Sequence, residues 1–331
     1  VPWVGARIKD VGYEVVNYEG TSALKVSFTT NVYPIELVLL ALGSEGHRIE
    51  LDKVTIYNSH DIPTYLFFGK FLGYPIVGFN VPPGTYYLVF MYKGDIVLEK
   101  KIYLKGPRLS VDNVEYVINH TLTYDYYGYR LGWRIEEMTI TVTNTGDCPA
   151  FIHAVYLHIR ELGETLEFTA DATVEKGKTG TFTAEYWDFE VPIESPGTYH
   201  ADVIVSVDVM NFTYEVTFTT PMPQLEFVEA IYYYTYYAYS DEYHITKFNI
   251  TVRNTGSVPA YIFSVTVVIV GIDEDTYYLW TPLTVKPGRT VTFTISVYLV
   301  VHGSGTYDAN ITIDLGVTTI SFPGKITLTP P

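Results

Sequence analysis

Charge is scarce in this sequence: only 18% of its 331 residues are Asp, Glu, Lys or Arg, against about 25% in an ordinary soluble domain. The charge is also one-sided, with 37 acidic side chains against 21 basic ones and a formal net charge of −16. That balance argues against nucleic acid as a partner, because phosphates demand clustered Lys and Arg and no basic run exists. Cys148 is the only cysteine, so no internal disulfide can form. Sustained helical periodicity is absent. No apolar run approaches the roughly 20 residues of a spanning helix. The longest candidate, "YIFSVTVVIVG" from Tyr261, has the length and β-branched content of a strand.

Catalytic signatures are missing too. There is no Gly-x-Ser-x-Gly, no Gly-rich phosphate loop and no His-Glu-x-x-His, so the chain reads as a non-enzyme without a cofactor or metal. Residues with chemical potential have plainer readings. His153 and His158 lie five apart on one strand, hence on opposite faces, and cannot clamp one ion. Asp273-Glu274-Asp275 lacks the glycine and spaced oxygens of a calcium loop and reads as a solvated hairpin tip. Glu136-Glu137 reads as a charged edge that blocks unwanted strand pairing. Cys148 stands where a later copy of the same stretch has Val258 and reads as an apolar filler.

What is present favours strands. Apolar residues make up 47% of the chain, 31 residues are Tyr, and Thr and Val are abundant; aromatic and β-branched side chains suit a pleated, half-buried surface. The chain also repeats itself. "MTITVTNTGDCPAFI" from Met138 returns as "FNITVRNTGSVPAYI" from Phe248. In each, apolar residues alternate with polar ones at the period of a half-buried strand. Asn-Thr-Gly then turns the chain, and Pro149 or Pro259 opens the next strand. Further on, "GKTGTFTAEY" at Gly177 matches "GRTVTFTISV" at Gly288, and "PGTYHADVIVSV" matches "GTYDANITIDL". A divergent first copy carries "LKVSFTTNVYPIELVLLAL" and "PPGTYYLVFMYKGDIVLEKKIYL". Joints fall at Gly106-Pro107 and at Pro221-Met222-Pro223. Each copy holds roughly seven short strands, the pattern of an immunoglobulin-like sandwich. The expected architecture is all-β, three tandem immunoglobulin-like β-sandwich domains over 1–106, 107–222 and 223–322.

The order "ITVTNTG-x-x-PA", "GKTGTFT", "PGTYHADVIV" resembles the CARDB-type and related immunoglobulin-like modules of bacterial and archaeal surface proteins. The resemblance covers the second and third copies and implies fold and extracellular context; its motifs are turns and strand starts, so it transfers no active site. The start Val1-Pro2-Trp3, without Met, fits removal of an export signal.

The resulting expectation is a secreted, cell-surface structural subunit that assembles with copies of itself into a filament or lattice. The alternative is an adhesin or carbohydrate-binding ectodomain using the tyrosine-rich run "AIYYYTYYAYSDEYH" from Ala230. Four sequons, at Asn119, Asn211, Asn249 and Asn310, are candidate N-glycan sites, with Asn249 and Asn310 expected to face outward. The tail 323–331 is placed like the first strand of a further domain, so Ile326, Thr327 and Leu328 are expected to add to a neighbouring subunit's sheet. Trp3 and Val4 in the N-terminal segment are the second candidate donor.

Overall fold

In the computed structural model, which describes residues 5–188 and 191–330, the repeated alternation becomes a repeated strand order. The first copy runs β1 (Ile8–Tyr18), β2 (Thr21–Thr30), β3 (Ile35–Leu42), β4 (Arg48–Ile56), β5 (Thr64–Phe67), a two-residue pair β6 (Lys70–Phe71) and β7 (Tyr74–Pro75), then β8 (Gly84–Tyr92) and β9 (Asp95–Leu104). Its sheets are β1-β2-β5 and β4-β3-β8-β9. The third copy runs β17 (Leu225–Tyr237), β18 (Glu242–Asn254), β19 (Ala260–Ile269), β20 (Asp273–Val285), β21 (Thr290–His302), β22 (Gly305–Asp314) and β23 (Thr319–Leu328). It repeats the three-plus-four plan as β17-β18-β21 and β20-β19-β22-β23.

The second copy comprises β10 (Leu109–Asp125), β11 (Gly128–Asn144), β12 (Ala150–Ile159), β13 (Glu164–Val174), β14 (Thr179–Glu185), β15 (Thr198–Ser206) and β16 (Asn211–Thr219). Here the same seven strands form one sheet, β10-β11-β14-β13-β12-β15-β16. The two halves join through the pair Thr169–Glu185. Contacts gather the chain into two compact units. One holds Val1–Tyr116, Glu137–Trp187 and His200–Thr217; the other holds Val117–Glu136, Asp188–Tyr199 and Phe218–Pro331.

The quoted motifs hold each sandwich shut. Met138, Ile140 and Val142 are fully buried, while Thr141 and Thr143 on the opposite face bond Thr181 and Thr179 across the strand pair. The strand ends on Asn144, also fully buried. Its Nδ2 donates to Cys148 O and Val174 O at 2.9 Å each, and its Oδ1 accepts from Gly146 N and Arg108 N. Its own backbone pairs with Gly177 and Lys178, the start of the second quoted motif. Asn254 repeats this with Val258 O, Val285 O, Gly256 N, Gly288 and Arg289. The third motif is a tyrosine corner. In every copy the Tyr of Gly-Thr-Tyr donates its hydroxyl to a carbonyl four residues back: Tyr86 to Pro82, Tyr199 to Ser195 and Tyr307 to Gly303.

The first copy departs where its sequence does. Asn31, without the Gly, is exposed; it keeps only the clasp on the chain entering β1, through Arg7 N and Gly5 O.

The expected orphan tail is a correction. β23 runs through Pro323 and pairs with β22 without a break from Asp314–Thr319 to Gly305–Leu328. Ile326 is 3% and Leu328 0% exposed, both in the core of the third sandwich. The final strand is therefore not the first strand of something else. Its Ile and Leu alternate with Lys325 and Thr327 at the period that buries one face, and the Pro within it sits on an edge strand, where Pro is tolerated. Deleting residues from Pro323 onward should therefore unfold the third sandwich rather than release folded monomers. Leu328→Ala should cost about 2–5 kcal/mol, read by denaturant unfolding; an unchanged midpoint would refute the placement.

Candidate functional site

The tyrosine run fills the second half of β17 and turns into β18, and alternation along β17 splits its rings into two sets with different work. Tyr232, Tyr234 and Tyr236 pack against the core; Tyr233 and Tyr237 are exposed. Two of the inner set, Tyr232 and Tyr234, cross the open seam between the edge strands β17 and β23, while Tyr236 donates to Asp241 in its own hairpin. Tyr232 Oη donates to Thr327 O at 2.9 Å and accepts from Thr327 N at 2.8 Å. Tyr234 Oη does the same at Thr329, at 3.1 and 3.5 Å. Hydroxyls thus occupy backbone groups that an edge strand leaves open. Further along the seam lies a groove of ≈ 180 Å³ whose wall includes Phe227, Tyr232, Phe322, Pro323 and Lys325. Pro323 brings no N–H to that edge and Lys325 brings charge, two devices that discourage strand addition. Thr327, expected to bond a neighbour's sheet, has its outward backbone groups taken by Tyr232.

The opposite seam of the same sandwich is sealed by carboxylates. Asp273 Oδ2 accepts from Val300 N at 2.9 Å and Asp275 Oδ2 from Tyr298 N at 2.7 Å. This corrects the reading of a solvated tip: the acids lie on β20 and satisfy N–H groups of edge strand β21. The first sandwich uses Asp52, 7% exposed, which accepts from Phe67 N at 2.8 Å and pairs with Lys70. The sequence analysis missed this role for Asp52 and for the inner tyrosines. The available signal was parity: each falls on the core-facing side of its strand.

Other candidates are dispersed. Cys148 is fully buried against the core of the first sandwich, and burial, with Asp147 beside it, pushes its thiol far above the ordinary range. It carries no thiolate at neutral pH. His153 Nε2 donates to Gly78 O at 3.0 Å, whereas His158 meets Thr165; they do not converge. Among the described residues no group of three or more metal-ligating side chains gathers. Glu136 accepts from Asn119 at 2.6 Å, and Glu137 pairs in register with Glu185. Asn211 is exposed; Asn119, Asn249 and Asn310 are half-buried. Trp3 and Val4 lie outside the described residues.

A buried imidazole was also missed. His120 is 1% exposed, stacked on Trp133 at 4.8 Å and edge-on to Tyr261 at 5.4 Å. Its Nδ1 donates to Pro259 O at 2.9 Å, and Tyr261 donates back to His120 O. Nε2 is buried without a partner. The neutral tautomer fits this setting, and desolvation lowers the pKa against a smaller opposing effect of the Pro259 bond.

No protein-family model and no curated protein matches the chain. Among solved structures it is similar to a tetra-tandem repeat in the extending region of a large adhesion protein, at 13% identity over 96% of this chain and 74% of that one, TM-score 0.31. A red sea bream transglutaminase aligns at 12% over 67% and 32%, TM-score 0.26. The YadV chaperone aligns at 13% over 64% and 99%, TM-score 0.20. Likeness at these scores carries no functional statement. No helix among the described residues is long and apolar enough to cross a membrane.

Two outcomes follow from the site geometry. Tyr232→Phe combined with Tyr234→Phe keeps the rings but frees the backbone of Thr327 and Thr329. It should lower stability by about 1–3 kcal/mol in total and speed amide exchange at both threonines; unchanged exchange there would show that the hydroxyls seal nothing. His120 gives a pH dependence. Its folded pKa is depressed below the unfolded value of about 6.5, so its contribution is whole above that value. It is lost as pH falls through the unfolded pKa toward the lower folded one, because the unfolded chain binds the proton first. Thermal unfolding of His120→Phe should depend less on pH than wild type between pH 7 and about pH 5; parallel profiles would refute the assignment.

Proposed function

We propose that the chain is a non-catalytic structural subunit of a cell-surface filament or lattice, working outside the cell in contact with copies of itself. The observation that carries this reading is what the duplicated residues do. Asn144 and Asn254, Gly177 and Gly288, Tyr199 and Tyr307 all hold sandwiches closed. The repetition thus serves a building block. A repeated building block with its seams capped by side chains suits a load-bearing or spacing role.

With Ile326, Thr327 and Leu328 committed to their own sandwich, this reading keeps the segment containing Trp3 and Val4 as the strand donor between subunits. A head-to-tail contact of that kind propagates rather than closes. A second reading, a carbohydrate-binding ectodomain, draws on the outward half of the tyrosine run, where Tyr233 is 45% and Tyr237 49% exposed.

Negative-stain imaging of native material tests the assembly. Filaments or sheets are expected, and they should disappear when residues 1–4 are removed. Dispersed single particles from the intact chain would overturn the structural reading; filaments that survive the truncation would overturn the N-terminal donor.

A further inference from the structure

We propose that Asn249 carries an N-linked oligosaccharide that lies along the outer face of sheet β17-β18-β21, its rings stacked on Tyr233 and on the aromatic strip of Tyr237, His244 and Tyr298. The inference rests on reading the chain as an exported glycoprotein, and it assigns both the attachment point and the surface that receives the sugar.

Asn249 is the middle strand's outward residue, held on both sides. Its Oδ1 accepts from Thr294 Oγ1 at 2.9 Å, and its Nδ2 donates to Tyr233 Oη at 3.2 Å. The attachment atom therefore points at an exposed ring. Ile231, 49% exposed, sits directly across the strand pair. Farther along the same face, the His244 ring lies tilted at 4.5 Å from Tyr237 and edge-on at 5.4 Å from Tyr298. Tyr298 is 61% exposed. Asn249 lies five positions along β18 from His244, about 17 Å, within reach of a chain of a few sugars. Faces of aromatic rings attract the polarised C–H edges of a sugar, and Glu242, bonded to His244, places a carboxylate beside the strip to accept hydroxyls. Lys247 Nζ lies 5.0 Å over the Tyr233 ring and is the flexible group a sugar displaces.

The other sequons lack this setting. Asn119 is tied to the Glu136 carboxylate, and Asn310 faces Pro323 across its strand pair. Asn211 is exposed at the start of β16. Of the four, Asn249 is the one whose amide is bonded to an exposed ring. An exposed aromatic patch on a surface with so little charge needs a cover, and a glycan supplies one.

The transfer uses a polyprenyl-phosphate-linked oligosaccharide as donor. The C1–O bond to the lipid phosphate breaks, the phosphate leaves with the electron pair, C1 bonds to Asn249 Nδ2, and the displaced N–H proton passes to the transferase's base. The sequon hydroxyl, Thr251 Oγ1, is bonded to Thr292 at 2.8 Å, and Thr251 is 7% exposed. Attachment therefore precedes closure of the sheet.

Glycopeptide mass spectrometry of native protein reads the occupancy of Asn249. Thermal unfolding of Tyr233→Ala, and of Tyr298→Ala, which touches neither Asn249 nor its partners, is then compared in the glycosylated protein and in Asn249→Gln. An occupied Asn249 with larger losses in the glycosylated background is expected. Occupancy with equal losses in both backgrounds overturns the stacking and leaves export intact. A bare Asn249 with sugar on Asn119, Asn211 or Asn310 overturns this site but not export. Four bare sequons overturn the site and the glycoprotein reading on which it rests.

Discussion

The buried amide that ends the second strand is the constraint on which the rest of each later sandwich depends. Asn144 and Asn254 are fully buried, and a buried amide is tolerated only when its donors and acceptor are used. Four segments meet on it: the following turn, the end of the fourth strand, the start of the fifth and, in the second copy, the entering chain at Arg108. The turn also bonds the entering chain directly, Thr145 N to Arg108 O at 2.7 Å, but the groups left over at this junction need a side chain that can reach several segments at once. One side chain offering donors and an acceptor in a fixed plane solves that geometry. Removing it would strand two carbonyls and at least one N–H without water, which is why Asn, Gly and the Gly-basic-Thr start recur together rather than separately.

A sandwich with two open seams has a second problem, the unpaired backbone along its edges. The three copies answer it differently at the seam between the fourth and fifth strands. The second copy lets the strands touch through Thr169 and Glu185. The first uses one carboxylate, Asp52, and the third uses two, Asp273 and Asp275. A carboxylate reaching an N–H makes a charge-assisted bond, stronger than a neutral one. An acidic chain can therefore seal an edge without the register that direct pairing would impose. Where carbonyls also lie open, at Thr327 and Thr329, a carboxylate would repel them. A tyrosine hydroxyl both donates and accepts, and tyrosine is what stands opposite.

The all-β class, the three motifs and the buried faces were legible because they depend on alternation and turn chemistry, both local in sequence. Met138, Ile140 and Val142 announce their burial by period alone. What was illegible depends on neighbours distant in sequence. The tail was read as a beginning because Pro323 precedes it as Pro107 and Pro223 precede true first strands, yet a proline on an edge does not end a strand. The pairing of Ile326 with Tyr307 is fixed by a turn that the tail itself does not contain. His120 and Asp52 were passed over for a similar reason. Their value lies in what packs on them, Trp133 and Tyr261 in one case and Phe67 N in the other.

The tyrosine run shows how one local composition can meet two unrelated demands. A strand sends successive side chains to opposite faces, so a block of tyrosines delivers rings to both. Inward, the ring fills volume while the hydroxyl reaches past the core to the far edge of the sandwich, a distance shorter side chains do not span. Outward, the same residue leaves an amphipathic ring on a face with few charges to keep it wet. A sequence selected only for the seam would alternate inward rings with lysine or glutamate, as Glu226 stands beside the inward Phe227 at the start of β17. Retaining aromatic residues on the wet side, at Tyr233, Tyr237 and across the sheet at Tyr298, is a separate choice. It needs a separate physical cause, one that acts on the outer face alone.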